Sequence, residues 1–191
     1  MDFCYWEYPQ IELTGQVLGL VGLGKIGLAT ARIGLAFGMK VIAYKPTPPD
    51  NPIEGIRMTD LDSIFRESDF LSLHCPLTED NKHMVNSRRL ALMKPGAFFI
   101  NTSRGPLVDE SALYRVLEKN EIGGAGLDVM ENEPPPENHP LYRLENCHIT
   151  PHIAWATRAA RNRLLHTAVD NLQRFLHGEI QNCVNGVDSV D

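Results

Sequence analysis

The amino-acid sequence predicts an α/β domain built on a doubly wound parallel sheet. Three observations carry that expectation. Short, continuous apolar runs recur along the chain, as in strands buried on both faces. Segments with a helix period separate them. The first run passes directly into Gly22-x-Gly24-x-x-Gly27 and then into a helical pattern, all within one βαβ-sized unit.

The elements follow in order. Val17 to Val21 is the first apolar run. From Lys25 to Phe37, Ile26, Ala29, Ile33, Ala36 and Phe37 recur at three and four, and Gly38 sits where a left-handed residue closes a helix. KVIAY (Lys40 to Tyr44) is the second strand. A short helix is expected over Asp60 to Phe65 and a strand over Asp69 to Leu73. Another short helix covers Ser87 to Met93, stopped by Lys94-Pro95-Gly96. AFFIN (Ala97 to Asn101) is a strand, followed by a helix to Glu118 with Asp109 as its N-cap. Gly124 to Val129 and Cys147 to Thr150 are the last strands, flanking the proline-rich loop ENEPPPENHP. Thr157 to Leu176 is a long helix ended by Gly178. The expected organisation is a lead-in arm (1–16), a dinucleotide-binding domain (17–156) and a C-terminal helix and tail (157–191).

Bulk properties bound the function. The 191 residues suffice for one domain with a real core, and 43% hydrophobic with 22% charged residues is ordinary globular composition. A net charge of -6 gives no electrostatic footprint for nucleic acid. No apolar run approaches the roughly 20 residues that span a bilayer. Four scattered cysteines without CxxC spacing point to a reducing, cytoplasmic setting.

The glycine turn has a mechanical reading. Gly22 permits the tight turn, Gly24 the close approach of a pyrophosphate, and Gly27 the contact of helix with strand. Free N–H groups at the helix start, around Lys25 and Ile26, would receive the phosphates. At the end of the second strand a carboxylate would hold the ribose hydroxyls of NAD, but Tyr44 is followed there by Lys45. Lysine accepts no hydrogen bond and attracts a 2′-phosphate, so Lys45 tilts the expectation toward NADP.

Position alone leaves the polar clusters open. Arg104, in NTSRGPLVDE, is placed equally well to clamp a substrate carboxylate or to pair with Asp109 or Glu110. Asp128 ends a strand, and the glutamates after it read first as a solvated acidic loop. His152 follows a strand end, where a histidine serves as a general acid or as a structural residue. His139, Cys147, His148 and His152 match no zinc spacing, and no metal is expected.

Together, LTGQVLGLVGLGKIG, FGMKVIAY, SDFLSLHCPLTEDNKHMVN, LMKPGAFFINTSRGPLVDESAL, GAGLDVMENEP and ITPHIAWAT resemble the D-isomer-specific 2-hydroxyacid dehydrogenase family, in that order over nearly the whole chain. PHIAWAT and the lead-in YWEYPQIELTG are most similar to its glycerate dehydrogenase (hydroxypyruvate reductase) branch. The resemblance implies a Rossmann-like cofactor domain that transfers hydride between NAD(P)H and a small 2-oxo acid. Hydroxypyruvate or glyoxylate would then become D-glycerate or glycolate. It implies that Arg104 holds the substrate, that His152 donates and accepts the proton, and that Glu133 is the partner of His152. A carboxylate beside an imidazole favours its charged form, which is the form that gives a proton to a carbonyl oxygen. Asp128 and the backbone of Thr102, Ser103 and Arg104 correspond to groups that orient the nicotinamide. His74 and Pro76 correspond to contacts around the ribose and adenine.

The sequence departs from the family at Lys45, where an acid and an NAD preference are usual. The family's substrate lobe is built mainly from residues ahead of the cofactor domain, so most of that lobe is expected to be absent here and turnover by the chain alone to be weak or absent. A homodimer through the cofactor domain is also implied. The rival expectation is a dinucleotide-sensing module of corepressor type, against which Arg104, Glu133 and His152 argue. A formate dehydrogenase is disfavoured, because glutamine replaces the glutamate there.

Overall fold

The computed structural model describes residues 4–5, 10–184 and 186. Residues 1–3 and 6–9 of the expected lead-in arm, and 185 and 187–191 of the expected tail, lie outside the described residues. Two compact units are present, Met1–Pro151 and His152–Asp191.

In the first unit, seven parallel strands are β1 (Val17–Val21), β2 (Lys40–Tyr44), β3 (Ile56–Met58), β4 (Phe70–Leu73), β5 (Phe98–Asn101), β6 (Gly124–Leu127) and β7 (Cys147–Ile149). Their order across the sheet is β3-β2-β1-β4-β5-β6-β7. The chain winds outward from β1 to β3, then crosses to β4 and winds the other way. The gap between β1 and β4 is therefore the topological switch point, where open α/β sheets bind ligands.

Side-chain alternation explains the apolar runs. Leu18 and Leu20 of β1, with Val41 and Ala43 of β2, enter one core beneath α1 (Lys25–Ala36). Ile42, Leu71, Leu73, Phe99, Ala125 and Leu127 point to the other face. There they meet α2 (Leu61–Glu67), α3 (Ser87–Leu90) and α4 (Glu110–Glu118) through Ile64, Phe65, Leu90, Leu113 and Leu117. Each fully buried leucine or phenylalanine contributes about 1.5–3 kcal/mol relative to exposure. Among the described residues of this unit, α1 is the only α-helix on its face. A depression of about 970 Å³ lies over Phe70, Phe98, Ile100 and Gly126, with the two phenylalanine rings stacked 5.6 Å apart.

Local chemistry sets the boundaries. Asp60, Asn86 and Asp109 cap α2, α3 and α4 by accepting backbone N–H groups of Ser63, Arg89 and Ala112. Gly38, at φ +74°, closes α1. The helix expected to Met93 ends at Leu90, because the turn before Pro95 tightens into Leu92 and Met93 bonds to Arg89 and Leu90. Strand pairing of β6 stops at Leu127, where its neighbour β7 reaches Ile149. Strand β3 was not anticipated: three residues after a proline- and glycine-rich loop show too little period. The end of the lead-in arm is part of this unit, since Gly15 donates to Gly38 O and Gln16 O accepts from Lys40.

The second unit contains α5 (Arg158–Leu176), capped by Thr157, whose hydroxyl accepts the Ala160 N–H. None of its residues is buried, and Gly178 at φ +79° follows its end. Among the described residues no helix is long and apolar enough to cross a membrane.

Candidate active site at the carboxyl edge of the sheet

Parallel register lines up the strand ends. Val21 pairs with Tyr44 and with Leu73, Leu73 with Asn101, Asn101 with Leu127, and Leu127 with Ile149. The next residue of each strand therefore lies along one edge: Gly22, Lys45, His74, Thr102, Asp128 and Thr150. Five of these six are residues that the sequence singled out.

The glycine turn shows why each glycine is there. Gly22 has φ +101°, and a Cβ on it would lie 2.4 Å from His74 O. A Cβ on Gly27 would lie 2.2 Å from Gly22 O. These two are required by the protein itself. Gly24 is different: its backbone is extended, and a Cβ would meet nothing within 4 Å. It is the N-cap of α1 with no side-chain cap, and no acidic residue occupies the first turn. A twelve-residue helix thus presents unclaimed N–H groups and its positive end to open space. The N–H of Leu28 is already bonded to Gly24 O, and the exposed Ile26 flanks the turn.

That space belongs to a crevice of about 600 Å³. Gly22, Leu23 and Gly24 form one wall, Tyr44 and Lys45 another, and His74, Cys75 and Pro76 the third. Burial pushes the Cys75 thiol up to about 11, so it is a packing residue and not a thiolate nucleophile. Leu61, Thr78, Asn81, Met84 and Arg89 also line it and were missed in the sequence. A Thr-x-x-Asn capping box, Thr78 with Asn81, was the one legible signal for that wall. Arg89 comes from α3, distant in sequence from Lys45, yet both face the same crevice; its guanidinium bonds Asp62 and Met84 O.

His74 is a neutral wall. Burial lowers its pKa, and Ser72 Oγ lies 3.0 Å from its Nε2. A histidine depressed in the folded state contributes stability above the ordinary histidine range and loses it as pH falls through that range. Its ring signal in an NMR titration is expected to move at a pH below that of a free histidine. A midpoint at or above the ordinary value would contradict this environment.

Further along the edge, Asn101 organises the strand-end loop. Its buried amide donates to Arg104 O at 2.9 Å and accepts the Ser103 N–H at 3.0 Å. Ser103 Oγ donates to Cys75 O and ties this loop to the β4 end. Thr102 is exposed. Arg104 is exposed, and among the described residues its guanidinium bonds only Ser103 O, at 2.7 Å; Asp109 caps α4 and Glu110 faces elsewhere. Among the described residues Arg104 pairs with neither Asp109 nor Glu110. Asp128 is buried and accepts from Thr150 Oγ at 2.6 Å. Glu133 precedes a cis peptide to Pro134, and its Oε1 accepts the Met130 N–H at 3.0 Å. His152 begins the second unit with φ +53°, on the left-handed side that few non-glycine residues occupy. The Trp155 indole donates to His152 O at 2.8 Å. On β7, Cys147 is buried and His148 exposed; among the described residues no cluster of histidine, cysteine or carboxylate side chains can hold a metal ion.

Residues 5–154 match the model of the D-isomer specific 2-hydroxyacid dehydrogenase family, NAD binding domain. The chain belongs to this family. Among 2-hydroxyacid dehydrogenases and relatives it is similar to the hydroxypyruvate reductase of Blautia hydrogenotrophica, 44% identical over 185 residues that cover 96% of this chain and 58% of the relative. The D-lactate dehydrogenase of Lactobacillus jensenii, solved with NAD+, superposes with a TM-score of 0.87 at 31% identity, covering 97% of this chain and 60% of that one. An acyclic imino acid reductase, solved with NADPH and D-Arg, gives 0.85 at 35% identity, covering 96% and 58%. The chain thus spans little more than half the length of the relatives it matches.

Proposed function

We propose that the chain is the dinucleotide-binding part of an NAD(P)H-dependent reductase of small 2-oxo acids, with hydroxypyruvate or glyoxylate reduced to D-glycerate or glycolate. One observation carries the reading: a single sheet edge holds both a glycine cradle open to a pyrophosphate and, at Arg104, a guanidinium with no carboxylate partner among the described residues. The likeness to a hydroxypyruvate reductase supports the substrate class.

The residues fit a nicotinamide dinucleotide. N–H groups from Gly24 onward would take the pyrophosphate, the crevice walls at Lys45 and Pro76 the adenosine, and Asp128 with the 102–104 backbone the nicotinamide. The dihydronicotinamide, when bound, supplies the hydride. Arg104 binds the 2-oxo acid carboxylate in two parallel hydrogen bonds and polarises the carbonyl. His152 gives a proton to the carbonyl oxygen, and Glu133 favours the charged imidazole. Calorimetric titration with NADH, followed by hydroxypyruvate-dependent loss of its absorbance, tests this reading. Absence of nucleotide binding would sink it.

Lys45 with Arg89 in the same crevice supports a site that accepts NADPH at least as well as NADH. Lys45→Asp is expected to weaken NADPH at least tenfold, about 1.4 kcal/mol, and to strengthen NADH. Equal profiles before and after the substitution would leave Lys45 without a part in the choice.

A further inference from the structure

One carboxylate, Glu110 on the first turn of α4, clasps both ends of the acidic loop that carries Glu133. Its Oε1 accepts the Glu131 N–H at 2.7 Å, and its Oε2 lies 3.1 Å from His139 Nε2. The pair is largely withdrawn from water, with the Glu110 and His139 side chains 12% and 14% exposed. The near end of the loop is held twice more. His83 Nε2 lies 2.7 Å from Glu131 Oε1. Gly105, one residue after Arg104, leaves no room for a side chain, since a Cβ there would lie 1.8 Å from Met130 O.

These contacts join two segments that are far apart in sequence. Glu110 follows the strand-end loop of Arg104 through the single 3-10 turn Gly105–Leu107. Glu133 lies between the two residues that Glu110 holds. A first-turn glutamate serves a helix dipole without any such partners, and Asp109 already supplies the cap. Two charge-assisted bonds shielded from solvent constrain a loop more than exposed ones do.

We propose that Glu110 is a positioning residue, which fixes the loop bearing Glu133 against the segment bearing Arg104. The proposal rests on the roles given to Glu133 and Arg104 above. A displacement of about 1 Å at reacting groups costs on the order of 10²-fold in rate, so a brace of this kind has a kinetic signature.

The test follows the Glu133 side-chain carboxyl by carbon-13 NMR through a pH titration in wild type, Glu110→Ala, Glu110→Gln and His139→Leu, beside the pH profile of hydroxypyruvate reduction. Glutamine keeps an oxygen for the Glu131 N–H, whereas alanine keeps nothing. In Glu110→Ala the Glu133 curve is expected to shift, kcat to fall roughly tenfold to hundredfold with a displaced pH profile, and KM for NADH to stay unchanged. Glu110→Gln is expected to return the Glu133 curve toward wild type. His139→Leu, which releases only the far end, gives a smaller shift and decides the matter if the alanine variant does not fold. An unmoved Glu133 curve in Glu110→Ala, or in His139→Leu where the alanine variant does not fold, overturns the proposal, as does a loss of kcat with an unshifted profile. A wild-type chain that fails to bind NADH would sink the functional reading instead, while the Glu133 signal still decides the clasp.

Discussion

Gly24→Val is expected to leave the fold standing and to remove nucleotide binding. In the protein alone nothing requires glycine at this position: the backbone is extended, and an added Cβ meets no atom within 4 Å. Valine is a poorer N-cap than glycine, which costs up to about 1 kcal/mol and lowers Tm by roughly 2–4 °C in a chain of this size. The branched side chain would occupy the space in which a pyrophosphate must approach the helix N-terminus. Affinity for NADH and NADPH should fall tenfold or more, at least about 1.4 kcal/mol. Gly22→Ala is the contrasting control, because its Cβ would press on His74 O and its φ is +101°. There the fold itself should suffer. If Gly24→Val binds nucleotide as wild type does, the cradle is a packing device and nothing more.

His152→Ala is expected to lower hydroxypyruvate turnover by about 10²- to 10⁴-fold, the usual worth of a positioned proton donor. NADH affinity should hold, since the cradle and crevice walls belong to the first unit. Arg104→Lys separates binding from proton transfer. Lysine keeps the charge and loses the planar fork, so KM for hydroxypyruvate should rise while NADH binding is untouched. The exposed guanidinium makes no bond with an acidic side chain among the described residues, so folding stability should barely change. Steady-state kinetics beside calorimetry distinguishes these effects. A His152→Ala protein with wild-type kcat would remove the histidine from the reaction.

The sheet was legible because strands buried on both faces must read as apolar runs, most fully in β1 and β2; β5 and β6 are less covered at Phe98, Ile100 and Gly126, and β7 buries only Cys147. The helix cap Asp109 was legible for a local reason, since capping is decided within four residues, whereas Asp60, read as the first residue of its helix, is the cap before it. β3 was not, because its three residues owe their conformation to pairing with Val41, Ile42 and Ala43. The glycine turn could be read from spacing alone, but the distinction between Gly22 and Gly24 needed the position of His74 O. Arg89 at the crevice and Glu110 on the acidic loop were invisible for the same reason: both are made neighbours of the site by the winding of the sheet. The sequence left two readings of Arg104 open, and it could not show where the candidate partners go: Asp109 turns to the helix start and Glu110 to Glu131 and His139.

A structure of the chain bound to NADH tests the central claim most directly. The pyrophosphate oxygens should lie about 3 Å from main-chain N–H groups at the start of α1, with the adenosine between Lys45 and Pro76. A dinucleotide seated anywhere else, or a crevice that stays closed to it at saturating concentration, would contradict the account.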